Sequence, residues 1–227
     1  MKSRKLDLYC VALKTQNVWL IKLENSNSIY DDKFFRKYLK KTQYLNDHKV
    51  IASAIISTFR PRSVIDIGCG SGRILHWLRS KNFFRPPFGK IVVSGYEGSE
   101  SAVKYWPRSV SSNIRVADCT EPLEKETSAV LVVCLEVAEH IETARSEQLV
   151  KNLCNLSDQY ILFSAAPPGQ GGVGHINEQP WQFWVNLFAK FGWEEHQTLT
   201  SEFKLRLEEK VVSPWYRDNT RVLIRNS

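Results

Sequence analysis

The chain has 227 residues, enough for one full-sized hydrophobic core and short for two. Its 43% hydrophobic and 24% charged residues are those of a globular protein, and no run approaches the ~18 consecutive apolar residues of a membrane span. A formal net charge of +7 permits an anionic partner such as nucleic acid without requiring one. The five cysteines, Cys10, Cys69, Cys119, Cys134 and Cys154, form no C-x-x-C pair. They read as reduced thiols. The basic start Met1–Lys5 leads into an apolar stretch broken by Asp7, a poor signal peptide. A cytoplasmic protein without a membrane span is expected.

In chain order, Leu8–Leu13 and Val18–Leu23 alternate in polarity on either side of Gln16-Asn17, which suggests a hairpin. From Asp31 the pattern turns helical. Lys33, Arg36, Lys37, Lys40 and Lys41 lie on this helix, a solvated face or a basic patch. A second helix carries Val50, Ile51, Ala54 and Ile55 and is closed by Pro61. Residues 1–47 are read as an N-terminal extension and 48–227 as the main domain.

Ser63-Val64-Ile65-Asp66-Ile67 reads as a short buried strand. Gly68-Cys69-Gly70-Ser71-Gly72 follows, and then Arg73–Leu78 with apolar residues at helical spacing. Strand, glycine turn and helix open a nucleotide-binding βαβ unit: the glycines let backbone approach a ligand, and the helix start presents free N–H groups. Phe83–Phe88 reads as a turn-rich insertion. Further strands are expected at Lys90–Glu97, Ile114–Asp118, Ala129–Leu135 and Tyr160–Ser164. Helices are expected around Ser99–Tyr105, over Ser146–Leu153 and over Gln179–Phe191. Two last strands are expected near Glu195–Thr200 and Thr220–Arg225. The alternation predicts an α/β, Rossmann-like, doubly wound and mostly parallel seven-stranded sheet, with helices on both faces and an antiparallel last strand.

Three acids, Asp66, Glu97 and Asp118, end successive strands at the edge where open α/β sheets bind ligands. The G-x-G-x-G run behind Asp66 differs from the dinucleotide G-x-G-x-x-G and resembles motif I of the class I S-adenosylmethionine (SAM)-dependent methyltransferases. The resemblance covers about residues 48–195. It implies that Asp66, Gly68, Cys69, Gly70 and Gly72 surround the methionine and ribose of SAM and that Glu97, with Gly98, holds the ribose hydroxyls. It further implies that Asp118, with Cys119, meets the adenine, while Leu135 and Glu136 border the cofactor.

Strand four runs into Glu136-Val137-Ala138-Glu139-His140. If a helix starts near Glu136, then Glu136, Glu139 and His140 share one face. Oxygen-rich ligation with one or two histidines suits Mg or Mn better than a thiol-preferring metal. This E-x-x-E-H resembles the ubiquinone-pathway O-methyltransferases and the small-RNA 3′-terminal 2′-O-methyltransferases, whose matching residues bind a divalent metal; the latter add a histidine after strand five, where this chain has His175. Acids in a first helical turn are also favoured by the helix dipole alone. The Gly/Pro loop Ala165–Gly174 leads into His175-Ile176-Asn177-Glu178-Gln179. With Trp181-x-x-Trp184 and Trp215–Asn219, it resembles a bacterial-type subfamily associated with sugar and surface-polysaccharide pathways.

The expected function is SAM-dependent O-methylation of a sugar or other small-molecule hydroxyl. His175 is the first choice of general base and His140 the second; alternatively Glu136, Glu139, His140 and His175 hold a metal. The other readings are 2′-O-methylation of the 3′-terminal ribose of an RNA, a non-catalytic SAM-binding module, and a nucleotide-dependent oxidoreductase.

Overall fold

A computed structural model describes residues 29–80, 90–124, 128–208, 210 and 213–226. The hairpin expected over 8–23 and the insertion at 83–88 lie outside the described residues. Two helices, α1 (Asp32–Leu39) and α2 (Thr42–Phe59), precede β1 (Ser63–Ile67), α3 (Arg73–Ser80), β2 (Val92–Glu97) and β3 (Ile114–Val116). Then come β4 (Ala129–Leu135), α4 (Ser146–Leu156), β5 (Ser157–Ser164), α5 (Trp181–Ala189), β6 (Trp193–Glu195), α6 (Gln197–Glu208), α7 (Pro214–Asn219) and β7 (Arg221–Arg225). The sheet order is β3-β2-β1-β4-β5-β7-β6. All pairings are parallel except those of β7, which runs antiparallel to β5 and β6. The expected fold is therefore the observed one.

Strict alternation along the central strands divides the core into two layers. Val64, Leu131, Val133, Leu162 and Val222 face Ile51, Ile55, Leu75, Leu78, Phe203 and Leu207 of α2, α3 and α6. Ile65, Ile67, Val132, Cys134, Ile161, Phe163 and Leu223 face Leu149, Leu153, Trp184 and Phe188 of α4 and α5. Trp184, at 1% exposure, is thus core and lines no site. Trp181 is committed too, its indole N–H donating to Glu195 Oε2 at 2.8 Å with the Arg221 guanidinium over its ring.

Three local expectations are corrected. The strand expected at 195–200 ends at Glu195, because the chain enters α6, whose Thr200, Phe203 and Leu207 are buried; the apolar spacing there serves a helix rather than a pleat. Residues 100–105 form a 3₁₀ helix. No α-helix starts at Glu136: that residue adopts a left-handed φ of 55°, and only a 3₁₀ turn, Ala138–His140, follows. The division at 47/48 falls inside α2, where Asp47 and His48 are both buried.

Candidate active site

The carboxyl ends of β1 and β2 and the turn after β1 build one rim. Gly68 and Cys69 donate their N–H groups to the Tyr96 carbonyl at 2.8 and 3.1 Å, which curls the loop back over β2. Gly68, Gly70 and Gly72 all have positive φ, a region L side chains rarely enter. They differ in what surrounds them. A Cβ on Gly68 would meet Val137 at 2.4 Å and one on Gly72 would meet Ile114 at 2.7 Å, whereas Gly70 and Gly98 face open space. Two glycines thus permit packing and two stand open.

Glu97 is locked by backbone donors: Gly70 N–H to Oε2 at 2.7 Å and Ser99 N–H to Oε1 at 2.9 Å. Each oxygen keeps a further lone pair for a ribose hydroxyl. Burial raises the Glu97 carboxyl above its usual range, against the lowering by these N–H groups. Asp66 is 3% exposed, and burial, then the Glu97 charge, pushes it up to about 8. Asp118 spends Oδ1 on the N–H and hydroxyl of Thr120, at 2.8 and 2.7 Å. Cys119 turns its carbonyl to Asn152 Nδ2 at 2.9 Å. The two neighbouring carboxyls of Asp66 and Glu97 disfavour each other's ionisation.

A second rim follows the ends of β4 and β5. The Glu136 N–H is satisfied by Ser164 Oγ at 3.0 Å, and its Oε1 faces Asn219 Nδ2 at 3.3 Å. The left-handed turn at Glu136 drops Glu139 into the interior. Glu139 is fully buried, and neither of its carboxylate oxygens makes a hydrogen bond of ordinary geometry, although the Glu136 carboxyl and the Ala166 backbone lie against it. Burial, then the Glu136 charge, raises its pKa. An ionised carboxylate in that state costs several kcal/mol, so the group is either protonated or waits for a cation.

The two histidines stand beside it. His140 Nε2 lies 3.9 Å from Glu139 Oε1, and the His140 and His175 rings meet edge-on at 4.9 Å. Ligand atoms of Glu139, His140 and His175 all lie within 4.8 Å of one another. Glu136 is not in that cluster, so the expected four-residue set is reduced to three. His140 Nδ1 is 3.2 Å from the Gly174 carbonyl, which only accepts, so Nδ1 carries the proton and Nε2 a free lone pair. Burial pulls the His140 pKa down to about 4, opposed by that carbonyl. His175 Nδ1–H donates to Glu178 Oε1 at 2.8 Å, which fixes the orientation of the ring. A Cβ at Gly172 would sit 2.2 Å from that nitrogen, so only glycine there leaves the ring its place. Gly171, Gly172, His175, Ile176 and Glu178 line an open cleft of about 360 Å³.

Two features of this rim escape sequence reading. Glu178 is a clasp as well as a histidine partner, accepting from Gly169 and Gly171 N–H at 2.8 and 2.7 Å. Asn177, 2% exposed, bonds the Ala138 carbonyl, Ser146 and Thr143 and pins the loop under the 138–140 turn. Their place in a polar tetrad marked them as unusual, but partners so distant in sequence leave no local signal.

Comparison with known proteins fits this construction. Residues 65–157 match the family model described as a methyltransferase domain, so the chain carries a methyltransferase domain, on the Rossmann-like fold shared by class I SAM-dependent enzymes. Among solved structures it resembles the magnesium protoporphyrin IX methyltransferase of Synechocystis PCC 6803 with bound S-adenosylhomocysteine (SAH), at 14% identity, TM-score 0.55 and coverage of 84% of this chain and 88% of that one. It also resembles the sugar N-methyltransferase KedS8 of Streptoalloteichus sp ATCC 53650, at 15% identity, TM-score 0.59 and coverage of 86% and 92%. A third is the plantazolicin methyltransferase BamL in complex with a triazolic desmethylPZN analog and SAH, at 15%, 0.56, 85% and 89%. At these identities the likeness is one of fold. No curated protein matches the sequence. Among the described residues no helix is long and apolar enough to cross a membrane.

Proposed function

We propose that the chain transfers the methyl group of SAM to a hydroxyl of a sugar or another small polyol. The observation that carries this reading is the convergence of Glu139, His140 and His175 beside the open cleft. Methyl transfer from a sulfonium is an in-line displacement: the acceptor oxygen bonds the methyl carbon as the S–C bond breaks, and sulfur keeps the electron pair. Much of the rate comes from placement at near-attack distance. A hydroxyl acceptor must also shed its proton, which an amine acceptor could lose to water after transfer. His175 Nε2 takes that proton, and Glu178 on the opposite nitrogen stabilises the imidazolium formed. Asp66, Gly68, Cys69, Gly70, Gly72, Glu97, Gly98, Asp118, Cys119, Leu135 and Glu136 border the cofactor in this reading. The four described cysteines are unpaired, which suits work in the reducing cytoplasm.

One observation favours a metal-assisted version: the buried Glu139 carboxylate without a hydrogen bond of ordinary geometry. Two imidazoles whose far nitrogens are held by a carbonyl and a carboxylate, plus one buried carboxylate, form a donor set that fits Mn or another divalent transition metal better than Mg. Such a cation, when bound, lowers the pKa of a coordinated hydroxyl. Glu139, His140 and His175 would hold it, and Glu178 and Gly174 would orient the histidines.

Incubation of the protein with methyl-labelled SAM and fractionated cell extract tests both versions. Label in an alkali-stable methyl ether on a small polyol is expected. Label on an amine would overturn O-methylation, and label on an RNA 3′ end would overturn the small-molecule reading. In the metal-assisted version exhaustive EDTA treatment abolishes transfer and added Mn restores it; unchanged activity would remove the metal and leave His175 as base.

A further inference from the structure

We infer that Tyr30, which lies outside the matched methyltransferase domain, is a positioning residue that ties the cofactor rim to the acceptor rim and holds His140 in its working orientation. The inference rests on the reading that His140 borders the acceptor. An imidazole flipped about its last side-chain bond exchanges Nδ1 with Cδ2 and Nε2 with Cε1, so Nε2 keeps its place only if the ring is held. The Gly174 carbonyl, at 3.2 Å, is a long bond. The Tyr30 hydroxyl lies at 2.7 Å from the same Nδ1, and its ring packs edge-on against the imidazole at 5.4 Å. With the proton on Nδ1, the phenol oxygen accepts from it and turns its own proton toward the Val173 carbonyl, 3.5 Å away.

The other end of Tyr30 is anchored on the cofactor side. Its backbone carbonyl accepts from the Ser99 hydroxyl at 2.7 Å, and the N–H of the same serine donates to Glu97. One hydrogen-bonded line therefore runs Gly70, Glu97, Ser99, Tyr30, His140. Two further observations show that the chain is built around this crossing. Gly174 has a φ of +77°, and a Cβ there would come within 3.3 Å of the Tyr30 hydroxyl and 3.6 Å of His140 Nδ1. The helix that follows Tyr30 is clamped to residues 104–105: Asp32 pairs with Lys104 and takes a hydrogen bond from Tyr105, while Phe35 packs on the Tyr105 ring.

The test is Tyr30→Phe, which keeps the ring and the carbonyl anchor and removes only the hydroxyl. SAH affinity by calorimetry should stay within about twofold of wild type, while kcat falls about 10-fold at unchanged KM for SAM, the lower range for loss of a histidine's outer partner. Long-range ¹H–¹⁵N spectra of histidine-labelled protein with SAH bound should show the His140 ring nitrogens shifting, with the other four of the five histidines unmoved. Ser99→Ala, which frees the carbonyl but keeps the phenol, should give a smaller change of the same kind. Unchanged His140 signals in Tyr30→Phe, or weakened SAH binding with kcat intact, would overturn the inference. If the wild-type protein methylates nothing, the proposed function fails, and the His140 spectra still decide the role of Tyr30.

Discussion

Two glutamates on neighbouring stretches of one sheet edge are treated in opposite ways. Half-buried Glu97, on the rim we assign to the cofactor, is gripped by two backbone N–H groups; Glu139, on the rim we assign to the acceptor, is fully buried with neither oxygen in a hydrogen bond of ordinary geometry. A carboxylate held by backbone amides is fixed in place before any ligand arrives, which is what a recurrent cofactor requires. A buried carboxylate without such bonds raises the energy of the empty state and lowers it once a cation, or a proton in transit, arrives. The cofactor rim is preorganised by main chain. The acceptor rim is assembled from side chains, held from behind by Glu178, Asn177, Gly174 and Tyr30.

This contrast is sharpest in the chemistry. His175→Ala should lower methyl transfer by about 10²–10⁴-fold, the range of a general base, with SAH affinity unchanged by calorimetry. A parallel loss of SAH affinity would mean the two rims are not separate. Next in size, Glu97→Ala should weaken SAH binding about 100-fold, since it deletes charged acceptors for the ribose hydroxyls, while Glu139→Gln should leave SAH binding near wild type. Equal losses would erase the distinction between the two carboxylates.

The smallest effect is one of stability. Burial holds Asp66 up to about 8 against an ordinary 3.8, so between those values the folded chain keeps a proton that the unfolded chain has lost. The contribution of Asp66 to stability therefore declines as pH rises from about 4 to 8. Asp66→Asn carries no such proton. In ligand-free protein its melting temperature should gain on wild type across that window, by several degrees at the alkaline end. A difference that stays flat with pH would show that Asp66 is solvated rather than buried.

Each part of the molecule was legible in sequence to the extent that its determinants are local. Asp66 to Gly72 and the apolar runs of β1, β4 and β5 declare themselves, because a buried parallel strand must be apolar throughout and a tight turn at positive φ needs glycine. Glu97 and Asp118 follow from their places at strand ends. The same local logic misread two segments. The helical face expected from Glu136 gives way to a left-handed turn that buries Glu139 and leaves Glu136 outside the ligand cluster. Residues 197–208 coil because Phe203 and Leu207 find a core layer to fill.

The sequence by itself therefore determined the fold class, the glycine turn with its strand-end acids, and the two histidines worth attention, since period, glycine spacing and strand-end acids are short-range properties. Only the tertiary structure decided which ligand atoms converge, that Glu139 is buried without an ordinary hydrogen bond, and that Tyr30 reaches His140 from 110 residues away. Those facts depend on packing between distant segments, and no local pattern of residues encodes the distance between two side chains that meet only when the sheet is complete.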